Sequence, residues 1–141
     1  MPVELPAMLA EQEEAWQAVF EIHEPTGWVM IGGQSVYLHA VERGAPIVRA
    51  TKDADVALDI RADSKMLYKF TDLLLKLGFQ SDGETVKGQQ HRWVRGQAQL
   101  DVLIPRHLGE HSDKLKGATG GSTIEAPATQ QALDRAETVE V

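Results

Sequence analysis

The sequence predicts an α/β (α+β) fold: a mixed sheet flanked by helices. Three observations predict it. Apolar residues recur at spacings of three and four in separate segments. Short apolar or alternating runs stand between those segments. The two kinds follow one another as helix, strand, helix, strand, helix, strand, strand, helix, strand, an order that packs helices on a sheet. The 141 residues, 43% hydrophobic and 25% charged, make one domain with room for a core and an ordinary globular composition.

The first helix spans 7–23, where Met8, Leu9, Trp16, Val19 and Phe20 recur among acids. Pro25-Thr26-Gly27 ends it. Trp28 to Ile31 reads as a buried strand that Gly32-Gly33 breaks, and 34–43 as a helix closed by Gly44 and Pro46. Residues 47–50 read as loop or strand edge. Asp53 to Ile60 alternates as a strand, with Val56, Leu58 and Ile60 on one face and Asp53, Asp55, Ala57 and Asp59 on the other. Asp63 or Ser64 caps the helix 64–77, whose Met66, Leu67, Phe70, Leu73, Leu74 and Leu77 form an apolar stripe up to Gly78. Residues 89–95 and 98–104 read as strands joined through Gly96-Gln97. Residues 105–127 read as a long loop, 128–136 as a helix and 137–141 as a strand.

Composition removes several classes of function. Without cysteine there is no disulfide framework, thiol nucleophile or thiolate metal site. No apolar run approaches the ~20 residues that span a bilayer. The N-terminal stretch lacks the basic residues of a signal peptide, so the expected location is cytoplasmic. The net charge of −7 is unevenly distributed: seven glutamates precede the first Lys or Arg, Arg43, and the remainder is neutral. That argues against a protein that coats DNA through bulk positive charge.

Three pieces carry candidate chemistry. Gly32-Gly33-Gln34-Ser35 lies between a strand and a helix, where free N–H donors and the positive dipole end suit a phosphate. A plain turn before a helix explains the same residues. Thr51-Lys52-Asp53-Ala54-Asp55 places two carboxylates on one strand face, close enough to share a cation, although a solvated face explains them too. Asp101 stands inside the apolar run 98–104, where a charge needs an ion, solvent or a partner such as Arg92 or Arg95.

In this order the three pieces resemble the nucleotidyltransferase superfamily that includes DNA polymerase β. The run from Ile31 to Asp59 is similar to the AbiEii/AbiGii-type nucleotidyltransferases. The residues that carry the likeness are Gly32-Gly33-Gln34-Ser35, His39, Arg49-x-Thr51-Lys52-Asp53-Ala54-Asp55 and the strand Gln99 to Pro105. The resemblance covers residues 28–105 and implies the DNA polymerase β-like fold. It also implies transfer of a nucleoside monophosphate from a nucleoside triphosphate to an acceptor hydroxyl, with two Mg²⁺ ions held by Asp53, Asp55 and Asp101. Asp101 would then help deprotonate the acceptor. Gly32, Gly33, Ser35, Arg49 and Lys52 would bind the nucleotide. A tRNA or a protein is the implied acceptor, and an antitoxin a partner if the protein is the toxin of a toxin–antitoxin or phage-defence pair. Relatives continue into a C-terminal helical region, so a single nucleotidyltransferase domain over 1–141 that stops short of it, a fragment or a reduced version, is expected.

Two alternatives stand beside this reading. One is an enzyme that modifies a small cationic acceptor such as an aminoglycoside, drawn by the acidic N-terminal part. The other is a non-catalytic binding module that keeps the fold. Three further features have simpler readings. His39 shares a helix face with Ser35 but reads as structural. His91, Trp93 and Arg95 share a strand face that suits either nucleic-acid stacking or ordinary packing, and the second is the safer reading. His107 and His111 have helical metal-ligand spacing in a segment too glycine-rich for a helix, and Lys114 and Lys116 in the same loop are the candidate substitutes for a basic residue facing the triphosphate.

Overall fold

The computed structural model describes residues 2–5, 9–22, 27–44, 53–61, 63–86, 88–105, 116–126 and 129–136. Within them lie α1 (Ala10–Glu21), β1 (Trp28–Ile31), α2 (Gly32–Arg43), β2 (Ala54–Leu58), α3 (Met66–Lys76), β3 (Gln80–Ser81), β4 (Arg92–Arg95), β5 (Ala98–Pro105), β6 (Ile124–Ala126) and α4 (Thr129–Asp134). The fold is mixed α/β, as the periodicity predicts. Five strands run in the order β1-β2-β5-β4-β3, and β6 pairs with β5. β1 is antiparallel to β2, β2 parallel to β5, β5 antiparallel to β4 and parallel to β6.

β5 is the central strand. β2 lies along one side of it; β4 and then β6 follow one another along the other. Leu100, Val102 and Ile104 are therefore fully buried, and with Val56 and Leu58 of β2 they meet Ala15, Ala18 and Val19 of α1 and Leu67, Phe70 and Leu74 of α3 in one core. Each of the larger side chains is worth roughly 1.5–3 kcal/mol of burial. α2 lies against β1 and β2, and α4 against β1, β2 and β5.

α1 buries a stripe different from the one its large apolar residues suggest. Gln12, Ala15, Trp16 and Val19 face inward, while Leu9 and Phe20 are about half exposed. Small alanines let the helix approach the sheet closely. The acids of α1 are also used: Glu14 accepts the Gln97 N–H at 2.8 Å, and Glu21 pairs with Arg95 at 2.8 Å. Part of the N-terminal acidity thus fastens α1 to the β4–β5 hairpin.

The remaining differences are local. α2 begins at Gly32 rather than Gln34, so the glycines open the helix instead of preceding it. α3 starts at Met66; Asp63 accepts the Lys65 N–H at 2.9 Å in the turn before it. The short strands β3 and β6 lie in segments with no clear alternation, and β6 falls inside the expected loop. Thr71 of α3 pins that loop by accepting the Ala118 N–H at 2.8 Å, and Thr123 donates to the Val102 carbonyl. The expected turn at 25–26, loop at 47–50 and strand at 137–141 lie outside the described residues. No helix among the described residues is long and apolar enough to cross a membrane.

Candidate metal centre

Sheet register assembles the site. Asp55 of β2 stands opposite Asp101 of β5. On the outer side of Asp55 is Ile31, the last residue of β1. On the far side of Asp101 is Arg92 of β4. Ile31, Asp55, Asp101 and Arg92 thus form one row across four strands, and residues in one row point to the same face. Asp53, two residues before Asp55, extends the acidic group along β2. Carboxylate oxygens of Asp53, Asp55 and Asp101 all lie within 4.8 Å of one another.

β1 ends in that row, so the chain enters α2 beside Asp55. Gly32 has φ +70°, a left-handed conformation suited to glycine. A Cβ there would meet the Asp55 carboxylate, lying 3.2 Å from its Cγ. Gly32 therefore answers two demands at once, the turn into α2 and the space for Asp55.

Beneath the acids is a buried polar junction. The Gln34 side chain is fully buried; its Oε1 accepts hydrogen bonds from Gln12 Nε2 at 3.0 Å and Trp16 Nε1 at 2.8 Å. Its Nε2 donates to the Asp53 carbonyl at 3.1 Å. One amide thus joins α1, α2 and the entry to β2. Gln34→Leu leaves two buried α1 donors and the Asp53 carbonyl without this partner. At about 1–3 kcal/mol per buried unsatisfied group, urea denaturation of this variant should show a loss of at least about 3 kcal/mol.

The electrostatics are uneven. Arg92 forks over Asp101, with Nε to Oδ1 at 3.1 Å and Nη2 to Oδ2 at 3.3 Å, and that partnership raises the guanidinium pKa further. Among the described residues Asp55 has no such basic partner at hydrogen-bond distance. Burial, then the charges of Asp53 and Asp101 and a hydrogen bond with Asp53, push its carboxyl up to about 7, against the lowering pull of Arg92. Asp55 therefore keeps its proton at pH values where an ordinary carboxylate has lost it, and a cation would offset the same repulsion. The donors are all hard carboxylate oxygens, with no sulfur or imidazole among them, which suits Mg²⁺, Mn²⁺ or Ca²⁺. These residues therefore fit a divalent ion.

The other expected site residues are distributed as follows. Gly33 and Ser35 lie in the first turn of α2, both half-buried. Arg49, Thr51 and Lys52 lie outside the described residues, as do His107, His111 and Lys114; Lys116 is exposed. His39 pairs with Glu42 at 3.3 Å on α2. Trp93 is a buried core residue, and Arg95 bonds Glu21 and the Leu77 carbonyl while lying over the Phe79 ring, so the 91–95 face is packing rather than a stacking platform. Sequence reasoning missed Gln34 as a site residue; a polar residue between two glycines and a serine carries no local signal of burial. It named Arg92 both as a possible partner of Asp101, which it proves to be, and, with Lys87, as a base near a possible nucleic-acid face.

Fold and site together define the class: a mixed α/β protein with a three-aspartate cluster able to hold a metal ion beside a glycine-opened helix. No family model matches the chain, and no curated protein or solved structure matches it.

Proposed function

We propose that the protein is a Mg²⁺-dependent nucleotidyltransferase of AbiEii-like type, with the DNA polymerase β-like arrangement of sheet and helices. It moves a nucleoside monophosphate from a nucleoside triphosphate to the hydroxyl of a tRNA or protein acceptor. The observation that carries this reading is the row Ile31, Asp55, Asp101 and Arg92, which brings the N-terminus of α2 beside the three carboxylates.

In this reading Asp53, Asp55 and Asp101 would hold the two ions, which would supply stabilisation of the negative charge that develops in the transfer. The free N–H groups at the start of α2, from Gly32 and Gly33, donate to the β- and γ-phosphate oxygens, with the Ser35 hydroxyl beside them. Asp101 takes the proton of the acceptor hydroxyl. The bond from the acceptor oxygen to the α-phosphorus forms as the bond from that phosphorus to the β-phosphate oxygen breaks, and pyrophosphate leaves. Arg49 and Lys52 would balance the triphosphate charge. A toxin role, with an antitoxin as partner, belongs to the same proposal.

The test is calorimetric titration of ATP, GTP, CTP and UTP with Mg²⁺, followed by transfer of α-labelled nucleotide to tRNA and to protein. Asp53→Ala should lower transfer by at least about 10²–10³-fold, the scale of removing one group that stabilises transition-state charge, with the fold retained. Transfer at the wild-type rate by this variant would place the chemistry elsewhere. Binding of none of the four nucleotides would refute the proposal.

A further inference from the structure

Arg92 occupies both oxygens that Asp101 would offer a cation. The two partners are unequally placed: 42% of the Arg92 side chain is exposed against 10% of that of Asp101. The guanidinium belongs to the more exposed partner, so turning it toward water disturbs less packing than moving Asp101 would. Asp101 is fixed in the central strand. The β4–β5 backbone ladder already joins the two strands from Arg92 to Arg95, so the ion pair is not needed to hold them together.

We propose that Arg92 is a built-in counter-ion that competes with a divalent cation for Asp101, so that loading the site and releasing Arg92 are one event. The inference rests on the reading of the cluster as a metal centre. Three carboxylates within 4.8 Å repel one another, and Arg92 relieves that repulsion while no cation is present. A full bidentate fork and a metal ligand both need the Asp101 oxygens, and the charge-assisted fork gives them up only to a stronger cation. The exchange leaves no carboxylate uncovered, because one positive partner replaces another.

The test is calorimetric titration of Mn²⁺ at pH 8 into the wild type, Arg92→Gln and Arg92→Lys, with thermal melts verifying that each folds. Arg92→Gln should bind Mn²⁺ about threefold to fivefold more tightly, the upper part of the scale of one partly exposed ion pair. Arg92→Lys keeps the charge but cannot fork, and should bind about twofold to threefold more tightly than wild type. Mn²⁺ binding by the variants with none by the wild type would support the proposal in its strongest form. If Arg92→Lys matches the wild type while Arg92→Gln alone binds more tightly, the effect is charge at a distance and the proposal is overturned. If both variants bind equally or more weakly than wild type, Arg92 presents Asp101 to the ion instead, and the proposal is again overturned. A separate control addresses the metal centre itself. Undiminished Mn²⁺ binding by the double variant Asp53→Asn, Asp55→Asn, or no binding by any protein, would remove the metal reading and this inference with it.

Discussion

In metal-free buffer at pH 8, Asp55→Asn should be more stable than the wild type. The Asp55 carboxyl is pushed up to about 7 in the folded protein by burial and by its acidic neighbours, from an ordinary value of 3.8. Between those two values the folded state binds the proton more tightly than the unfolded chain does. Stability from this group is therefore greatest at low pH, falls as pH rises from about 4, and reaches its lowest level above about 7. Asparagine has the shape and hydrogen-bond donor of the protonated acid and never ionises. The three-unit shift would be worth about 4 kcal/mol at full weight. Part of the carboxylate still meets water, and screening brings the expected gain at pH 8 to about 2 kcal/mol. Urea melts of the two proteins across pH 4–8 should show a difference that grows with pH and then levels. Adding a divalent cation at ~100 times its Kd should reverse the order, because binding then stabilises the wild type by about 2.7 kcal/mol. If Asp55→Asn stays the more stable protein in saturating Mn²⁺, Asp55 is not a ligand.

Gly32→Ala should lose both stability and cation binding. At φ +70° an alanine is strained, at a cost of about 1–2 kcal/mol. The new methyl also meets the Asp55 carboxylate, so either Asp55 rotates away or the first turn of α2 shifts. Either response separates groups that the proposed site needs together. Mn²⁺ affinity should fall at least about tenfold, as when the support of a metal ligand is lost. Gly44→Ala supplies the control. Gly44 has φ +66°, and nothing lies within 4 Å of where its Cβ would be. That variant carries the strain without the contact and should keep wild-type Mn²⁺ affinity. Equal affinities for all three proteins would show that Asp55 does not depend on the space beside Gly32.

Much of the fold was legible because it follows from local pattern. The stripe of α3 from Met66 to Leu74 and the alternation in β2 each specify an element without reference to the rest of the chain. The hairpin was legible in more detail. A two-residue turn at Gly96-Gln97 fixes the pairing of Arg95 with Ala98 and, counting outward, of Arg92 with Asp101. The ion pair was therefore implicit in the turn. Other features had no local signal. β3 and β6 are too short to alternate, and they are strands only because β4 and β5 offer them partners. Gln12 and Gln34 look like surface residues, and they are buried because each satisfies the other.

The sequence by itself determined which residues are able to do chemistry: acids spaced by two on a strand, a lone acid in an apolar strand, and glycines at a helix start. These follow from residue type and from the repeat of the backbone, which are local. Only the tertiary structure decided that they meet. The parallel pairing of β2 with β5 puts Asp55 beside Asp101, and the antiparallel pairing of β1 with β2 brings Gly32 to the same place. No local rule fixes either pairing, because strands far apart in sequence choose neighbours by the core they bury together. The raised Asp55 carboxyl and the covered Asp101 follow from that choice, since both depend on charges that only folding brings within a few ångströms.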